Sequence, residues 1–168
     1  YARSLGMKLG VWVEPERVET ATVGRTGLAR ERFLATVGGR YNVGVKNEHA
    51  DSAQICLADA EARAWVLGQL IRFLDQVRPD YLKWDNNYWI NCDRAGHGHG
   101  AGDGNFAHVR GLYAVLAALR ARYPDLIIEN CSGGGNRLDL GMLQFTDVAW
   151  MDDVSGPSAH VRHNLEGL

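Results

Sequence analysis

Three short motifs place groups that could do chemistry at the ends of apolar stretches. In chain order they are Lys83-Trp84-Asp85-Asn86, Cys131-Ser132-Gly133-Gly134-Gly135 and Trp150-Met151-Asp152-Asp153. Parallel strands of an α/β barrel stop in the same way at the rim that carries the active site. Two of the motifs carry aspartates, and two facing carboxylates are what the hydrolysis of a glycosidic bond requires. The residues therefore favour glycoside hydrolysis at one rim of a barrel.

The aspartates have distinct candidate roles. Asp85 follows a strand-like stretch beside the cation Lys83 and is the candidate nucleophile. Asp152 and Asp153 are candidates for the general acid/base, and neighbouring side chains of an extended chain point in opposite directions. Only one of the pair is therefore expected to face the site. Each aspartate could instead cap a loop, and the residues alone leave that alternative open.

Other residues near strand ends could contact a sugar. Glu14 could bind a hydroxyl or form a salt bridge that stabilises its loop. Trp12 and Trp84 could stack on a sugar ring or belong to the core. The glycines after Cys131 and Ser132 allow the backbone to approach a ligand closely. Cys131 itself is not predicted to be a nucleophile, because no histidine stands out as its base.

The glycine-rich segment Gly96–Gly104 raises the question of a metal site. The nearby candidate ligands are His97, His99, Asp103 and His108. Interleaved glycines give no fixed geometry, and no cysteine or glutamate completes the set at a familiar spacing. The segment is expected to be flexible, and neither a metal nor a cofactor is predicted.

The positioning elements alternate between strands and helices. Near-continuous apolar stretches predict strands buried on both faces at Lys8–Val13, Tyr81–Trp84, Leu126–Glu129 and Val148–Met151. Helical periodicity predicts a helix over Ala60–Val77 capped by Asp59, a second one capped by Asn105, and a short third one around Gly141–Leu143. This order is typical of βαβ units.

The expected fold class is α/β, and the chain is expected to form roughly half of a (β/α)8 TIM barrel. A closed barrel needs eight strands and about 250 residues, whereas the chain has 168 residues. Residues 1–168 are therefore interpreted as part of a catalytic barrel whose remaining strands and flanking domains lie outside this chain. Half a barrel leaves open sheet edges, so the isolated chain is not expected to form a stable monomer. A doubly wound sheet is disfavoured, because Glu14-Pro15-Glu16 replaces a glycine-rich phosphate loop after the first strand.

Composition excludes several classes of function. The formal net charge of −2 gives no reason to expect a nucleic acid or an anionic membrane as a partner. No apolar run approaches the roughly 18 residues of a membrane span. Cys56, Cys92 and Cys131 are widely spaced, which indicates free thiols and a reducing compartment. A bacterial cytoplasmic location is the corresponding expectation.

Four motifs resemble those of glycoside hydrolase family 36, the bacterial-type α-galactosidases. Leu9–Glu16 is similar to the family's GLWFEPE, Tyr81–Asn86 to YIKWDMN, Cys131–Leu143 to CSGGGRFDLGML, and Trp150–Asp153 to WTSD. They occur in the family's order and extend over nearly the whole chain, which makes the resemblance specific.

The resemblance implies a retaining α-galactosidase on a (β/α)8 barrel, with a carbohydrate as its substrate. Asp85 falls on the nucleophile and Asp153 on the acid/base, with Asp152 in place of the family's serine. The positions that fall on the galactose subsite are Lys83, Cys131, Ser132 and Gly133. Retention predicts that the two carboxyl groups lie about 5–6 Å apart.

Departures from the family motifs concern the choice of sugar. Val154–Pro157 replaces a second aspartate, and the arginine that ends KWDMNR is absent after Asn86. An α-N-acetylgalactosaminidase and a raffinose-synthase-type transglycosylase are near alternatives. A non-catalytic carbohydrate-binding or inactive barrel fragment is the alternative of another class, and the presence of both Asp85 and Asp153 argues against it. Whether the parent protein forms a homo-oligomer is left open.

Overall fold

The computed structural model describes residues 1–25, 29–42, 51–154 and 156–166. Within them the strands are β1 (Gly10–Val13), β2 (Arg17–Glu19), β3 (Thr36–Val37), β4 (Arg40–Tyr41), β5 (Ser52–Gln54), β6 (Tyr81–Trp84), β7 (Ile127–Asn130) and β8 (Val148–Ala149). The helices are α1 (Ala60–Val77), α2 (Gly104–Arg122), α3 (Leu140–Leu143) and α4 (Pro157–Glu166), with 3₁₀ turns at Ala2–Leu5, Thr20–Thr22 and Glu31–Phe33. No helix in these residues is long and apolar enough to cross a membrane.

The main sheet contains four strands in the order β1-β6-β7-β8, and every neighbouring pair is parallel. The order of the strands across this sheet is the same as their order along the chain. A doubly wound sheet reverses that order at a switch point, whereas a barrel does not. The prediction of a partial α/β barrel is therefore confirmed, although β1 begins two residues later than expected and β8 is shorter.

The two faces of this sheet differ in burial. Leu82, Trp84 and Ile128 are fully buried in the hydrophobic core with α1 and α2. The opposite face carries a row of Trp12, Lys83 and Glu129, which occupy matched positions on adjacent strands. The prediction that the strands are buried on both faces is therefore wrong for β1, whose residues alternate between exposed and half-buried. The polar side chains Lys83 and Glu129 occupy this second face instead of an apolar packing layer.

Helix α1 follows its sequence pattern closely. The Asp59 carboxylate accepts a hydrogen bond of 2.7 Å from the backbone N–H of Ala62, which confirms the predicted N-cap. The buried face contains Ala62, Val66, Leu70 and Leu74. Three- and four-residue spacing places these side chains in one stripe against the sheet.

Helix α2 begins differently from the prediction. Asn105 lies inside the helix rather than at its N-cap, and its side-chain amide donates a 2.8 Å hydrogen bond to the carbonyl of Ile90. The prediction of an Asn105 cap is therefore wrong, because this side chain ties the helix to the preceding loop. The short third helix is confirmed as α3, which is capped by Asp139 at the N–H of Met142.

The segment between β1 and α1 is an irregular excursion. It contains two antiparallel pairs, β2–β5 and β3–β4. Short elements thus occur along the described part of this segment, and residues 43–50 lie outside the described residues. The excursion returns to the barrel at Ile55, whose N–H donates to the carbonyl of Glu16 at 2.7 Å.

Glycine lets α2 pack directly against neighbouring backbone. A Cβ atom at Gly111 would overlap the carbonyl oxygen of Leu57, and one at Gly104 would overlap that of Cys92. Gly68 in α1 has no atom within 4 Å of the corresponding position. Gly104 and Gly111 of α2 therefore have no room for a side chain, whereas Gly68 of α1 has room for one.

We expect Gly111→Ala to destabilise the intact protein by about 1–3 kcal/mol, because helix and backbone must separate to admit a methyl group. Gly68→Ala is the matched control and is expected to stabilise it by about 0.5–1 kcal/mol through helix propensity. Urea or thermal unfolding measures both. Equal unfolding midpoints for the two variants would contradict the packing described here.

Candidate active site

Asp85 directly follows β6 and is almost buried, with 8% of its surface exposed. Its Oδ2 accepts a hydrogen bond of 3.2 Å from the indole Nε1 of Trp12. Its Oδ1 is buried and has no hydrogen-bond partner among the described residues. A buried carboxylate oxygen left unpaired is costly and therefore marks a place where a ligand group is expected.

Cys131 is the neighbour of Asp85 across the sheet edge. Burial raises the pKa of the Cys131 thiol to about 11, and the charge of Asp85 acts in the same direction. The thiol is thus protonated at neutral pH. This agrees with the prediction that Cys131 is not a nucleophile and leaves it as part of the wall beside Asp85.

Asp152 and Asp153 follow β8 and make different contacts. The Asp153 Oδ1 accepts a hydrogen bond of 2.9 Å from the indole Nε1 of Trp150. The Asp152 Oδ1 accepts one of 2.8 Å from the backbone N–H of Val154, which closes a local turn. Asp152 therefore has a loop-capping contact, whereas Asp153 is exposed and oriented by an aromatic side chain.

The glycine turn after β7 lies between the two aspartate segments. A Cβ at Gly135 would be 2.5 Å from the carbonyl oxygen of Met151, and one at Gly134, with φ of 81°, would be 3.1 Å from the Cα of Asp152. On the other side, the Ser132 hydroxyl donates a 2.6 Å hydrogen bond to the carbonyl of Asn86. The turn therefore packs against the backbone after β8 and bonds to the backbone after β6.

Lys83 lies on the polar face of the sheet. Its ammonium nitrogen is 2.8 Å from an oxygen of Glu129 and 3.8 Å from the ring centroid of Trp150. Glu129 also accepts the hydroxyl of Tyr81, and burial together with Glu129 raises the pKa of Tyr81 to about 12. Sequence reasoning missed the contacts that Glu129 and Trp150 make with Lys83. The three residues are far apart in the chain, and the pairing of the strands brings them together.

Two predicted sugar-binding residues have other contacts. Trp84 is fully buried and donates its indole N–H to Glu16 at 2.8 Å, so of its two alternatives the structure shows the core position and not a sugar platform. Glu14 pairs with Arg17 and accepts a 2.7 Å hydrogen bond from the amide of Asn87. Of the two alternatives for Glu14, these contacts are those of the loop-stabilising salt bridge. Trp12 keeps half of its surface exposed and remains available to a ligand.

Glu16 is a buried carboxylate beneath the site that sequence reasoning did not single out. Arg137 donates to both of its oxygens, at 2.6 and 2.9 Å. His108 Nε2 and Trp84 Nε1 complete the set at 2.7 and 2.8 Å. The sequence offers two weak signals for this ion pair. Glu16 is the second glutamate of the Leu9–Glu16 motif, and Arg137 is the first cation after the glycine turn.

Titration properties follow from these contacts. Burial alone opposes ionisation of Glu16, yet the Arg137 guanidinium and His108 hold the pKa of its carboxyl far below the usual range. Burial lowers the pKa of His108 despite its bond to Glu16. Its Nδ1 accepts the N–H of Leu57 at 3.0 Å, so neutral His108 carries its proton on Nε2. Both ring nitrogens are occupied, and His108 is no metal ligand.

A pocket of about 230 Å³ opens beside the rim. The residues after β6, including Asn86 and Trp89, form one wall, and Ser132, Gly133 and Arg137 form another. Gly133 has φ of 50° and contributes backbone rather than a side chain. Amide, hydroxyl and guanidinium groups in a concave wall are suited to a polyhydroxylated ligand.

An α/β-barrel sheet with aspartates at its carboxyl rim defines the class of barrel proteins whose ligands bind at that rim. The family model described as Melibiase matches residues 1–164, and the chain belongs to this family. The resemblance expected from the motifs is thereby confirmed.

Similar proteins include the bifunctional alpha-galactosidase/sucrose kinase AgaSK of Mediterraneibacter gnavus, 35% identical over 149 residues that cover 88% of this chain and 14% of that protein. The solved galactosidase domain of AgaSK has a TM-score of 0.76 and 29% identity and covers 97% of this chain and 21% of that one. A GH36 alpha-galactosidase AgaA variant from Geobacillus stearothermophilus, in complex with stachyose, has a TM-score of 0.77 and 22% identity, with coverage of 97% and 22%. The chain thus spans about a fifth or less of the proteins it resembles.

We expect Glu16→Gln to cost the intact protein about 3–5 kcal/mol, because it leaves the buried Arg137 without its counter-charge. Glu61→Gln is the matched control, since Glu61 forms only exposed pairs with Arg30 and Arg32 and should matter little. Unfolding midpoints measure both variants.

The pH dependence of the same pair gives a second readout. A carboxyl with a depressed folded pKa stabilises fully above the unfolded value of 4.5, and this stabilisation is lost as the pH falls below it. Wild type should therefore lose stability on acidification more steeply than Glu16→Gln. Parallel curves for the two proteins would refute the ion pair.

Proposed function

We propose that the intact protein containing this chain is a retaining glycosidase that cleaves terminal α-galactosides. The observation that carries the proposal is the buried Asp85 carboxylate at the rim, with one oxygen held by Trp12 and the other unpartnered among the described residues. This aspartate occupies the nucleophile position of the YIKWDMN-like motif in a chain of the Melibiase family.

In the first step the unpartnered oxygen of Asp85 attacks the anomeric carbon of the galactosyl unit. The bond from that carbon to the leaving oxygen breaks, and Asp153 donates its proton to the departing oxygen. A covalent glycosyl–Asp85 ester and ionised Asp153 result. The hydrogen bond from Trp12 leaves the attacking oxygen free while it fixes the carboxylate plane.

In the second step Asp153 acts as a base. It takes a proton from water, whose oxygen attacks the anomeric carbon and releases Asp85 and the sugar. Two inversions give net retention, for which the carboxyl groups must lie about 5–6 Å apart. The hydrogen bond from Trp150 fixes the orientation of the Asp153 carboxyl, as this role requires.

The sugar is bound by the groups around the strand ends. Lys83 supplies a cation for ring hydroxyls, and the face of Trp150 above it extends the wall. Cys131, Ser132 and Gly133 line the subsite next to Asp85. The ring face of the half-exposed Trp12 covers the apolar side of the sugar.

The choice of galactose rests on the relatives. Both AgaSK and AgaA are named alpha-galactosidases, and the AgaA structure contains stachyose. An oligosaccharide with a terminal α-galactosyl unit is therefore the proposed substrate class. No cofactor takes part in the proposed steps.

Substitution of the aspartates tests the roles directly. On p-nitrophenyl α-galactoside, Asp85→Asn should lose about 10⁴-fold or more of the activity, since no ester can form. Asp153→Asn should lose about 10²–10⁴-fold of the activity on an oligosaccharide. With p-nitrophenyl α-galactoside the first step should slow far less, because nitrophenolate leaves without a proton. Asp152→Asn is the matched control and should retain most activity.

The outcomes separate the alternatives. Full activity in Asp85→Asn would remove this residue from the nucleophile role. If Asp152→Asn lost its activity and Asp153→Asn kept it, the acid/base role would pass to Asp152. Turnover of only the α-N-acetylgalactosaminide would keep the mechanism and change the sugar. Early NMR spectra of the product should show the α-anomer, whereas the β-anomer would exclude retention.

A further inference from the structure

A second cluster of reactive side chains lies outside the proposed active site. Cys56, Cys92, His97 and His99 each direct one potential ligand atom toward the others, and the four atoms all lie within 4.8 Å of one another. Both cysteines are fully buried, and His97 is 3% exposed. Cys56 follows β5, whereas the other three residues belong to the loop between β6 and α2.

The spacing of the cluster is that of a tetrahedral site. Cys92 Sγ is 3.4 Å from His97 Nδ1, and Cys56 Sγ is 3.5 Å from His99 Nε2. Around zinc, with metal–sulfur bonds near 2.3 Å and metal–nitrogen bonds near 2.0–2.1 Å, a tetrahedron places sulfur and nitrogen about 3.6 Å apart. Two of the sulfur–nitrogen separations are therefore already close to those of a coordination tetrahedron, and all four atoms lie within 4.8 Å of one another.

The remaining ring nitrogens fix the direction of the lone pairs. His97 Nε2 is 2.7 Å from the carbonyl oxygen of Arg32, and His99 Nδ1 is 2.8 Å from that of Gly100. A carbonyl only accepts, so both of these nitrogens carry protons. The lone pairs then lie on His97 Nδ1 and His99 Nε2, which face the cysteines. A carbonyl behind each ligating imidazole is typical of protein metal sites.

The chemistry of the thiols fits a cation. Two thiolates balance a divalent cation, and the resulting neutral unit suits a buried position. Without a cation, two adjacent thiolates in this position would repel each other.

We propose that Cys56, Cys92, His97 and His99 bind one structural Zn²⁺ ion. Two thiolates and two imidazoles in a tetrahedron are the ligands that zinc prefers. All four positions are filled by protein, so the site has no open position for a substrate. Binding replaces the two thiol protons, which pass to solvent, and changes no oxidation state.

Sequence spacing predicted no metal here, because Cys56, which completes the set, lies 43 residues before His99 in the chain. Of the residues weighed as ligands, His108 binds Glu16 and Leu57, and Asp103 lies outside the cluster. The loop also departs from the expected flexibility. His97 and Cys92 are buried, and Gly96 and Gly98 have positive φ values of 83° and 77°, which turn the backbone on either side of His97.

The ion would fasten the loop after β6 to the excursion after β1. Arg94 reinforces the same junction through hydrogen bonds to the carbonyls of Glu31 and Leu34, at 3.0 and 3.1 Å. The start of this loop, at Asn86–Ile90, forms one wall of the pocket beside Asp85. The zinc would thus hold one part of a loop whose start forms a wall of this pocket.

Metal analysis of the intact protein tests the proposal without an activity assay. Purified from zinc-supplemented medium and dialysed, wild type should contain about one zinc ion per chain. Cys56→Ser and Cys92→Ser should each lose most of it. Cys131→Ser is the matched control, a third buried cysteine outside the cluster, and should keep the full amount.

Cobalt gives a readout that is independent of the variants. Wild type refolded or exchanged with Co²⁺ should show the intense visible bands of a tetrahedral site and a near-ultraviolet thiolate band. Folded wild type with no bound zinc and with thiols that all react with a thiol reagent would overturn the proposal. A protein mass lower by two hydrogen atoms than that of the fully reduced chain, caused by a Cys56–Cys92 disulfide, would overturn it as well.

Discussion

The buried carboxylate of Glu16 is the interaction on which the arrangement of the rim depends. It gathers donors from three separate elements, namely Trp84 at the end of β6, His108 in α2 and Arg137 after the glycine turn. A charge at full burial is tolerable only if every oxygen is paired. The pairing requirement therefore fixes these elements relative to one another. Asp85 follows Trp84 directly, so this bond contributes to its position, together with the bond from its own N–H to the carbonyl of Val13.

Above this layer, indole N–H groups orient both proposed catalytic carboxylates. Trp12 donates to Asp85 and Trp150 donates to Asp153. A neutral donor fixes the plane of a carboxylate without neutralising it, whereas a lysine in the same place would form an ion pair. Lys83 is instead held by Glu129 and by the ring of Trp150. The cation thus pairs with Glu129 while it remains at the same face of the sheet as Trp12.

Local signals in the sequence predicted local structure. The bounds and cap of α1 follow from Asp59 and from apolar spacing, and the end of β6 follows from the abrupt change at Asp85. Contacts that depend on register or on distant segments could not be found this way. Trp84 was weighed as a sugar platform because its partner Glu16 lies 68 residues away. Cys56 likewise gave no metal signal, since folding alone brings it to His99.

The loop between β6 and α2 is constrained at both ends by different kinds of contact. At its start, the Ser132 hydroxyl binds the carbonyl of Asn86 and so joins it to the glycine turn. Near its end, Cys92 and His97 meet Cys56 from the excursion. Glycine-rich segments lose much conformational entropy on ordering, and a few hydrogen bonds offset little of it. A bound cation would offset part of this entropy at the point where the loop meets the excursion.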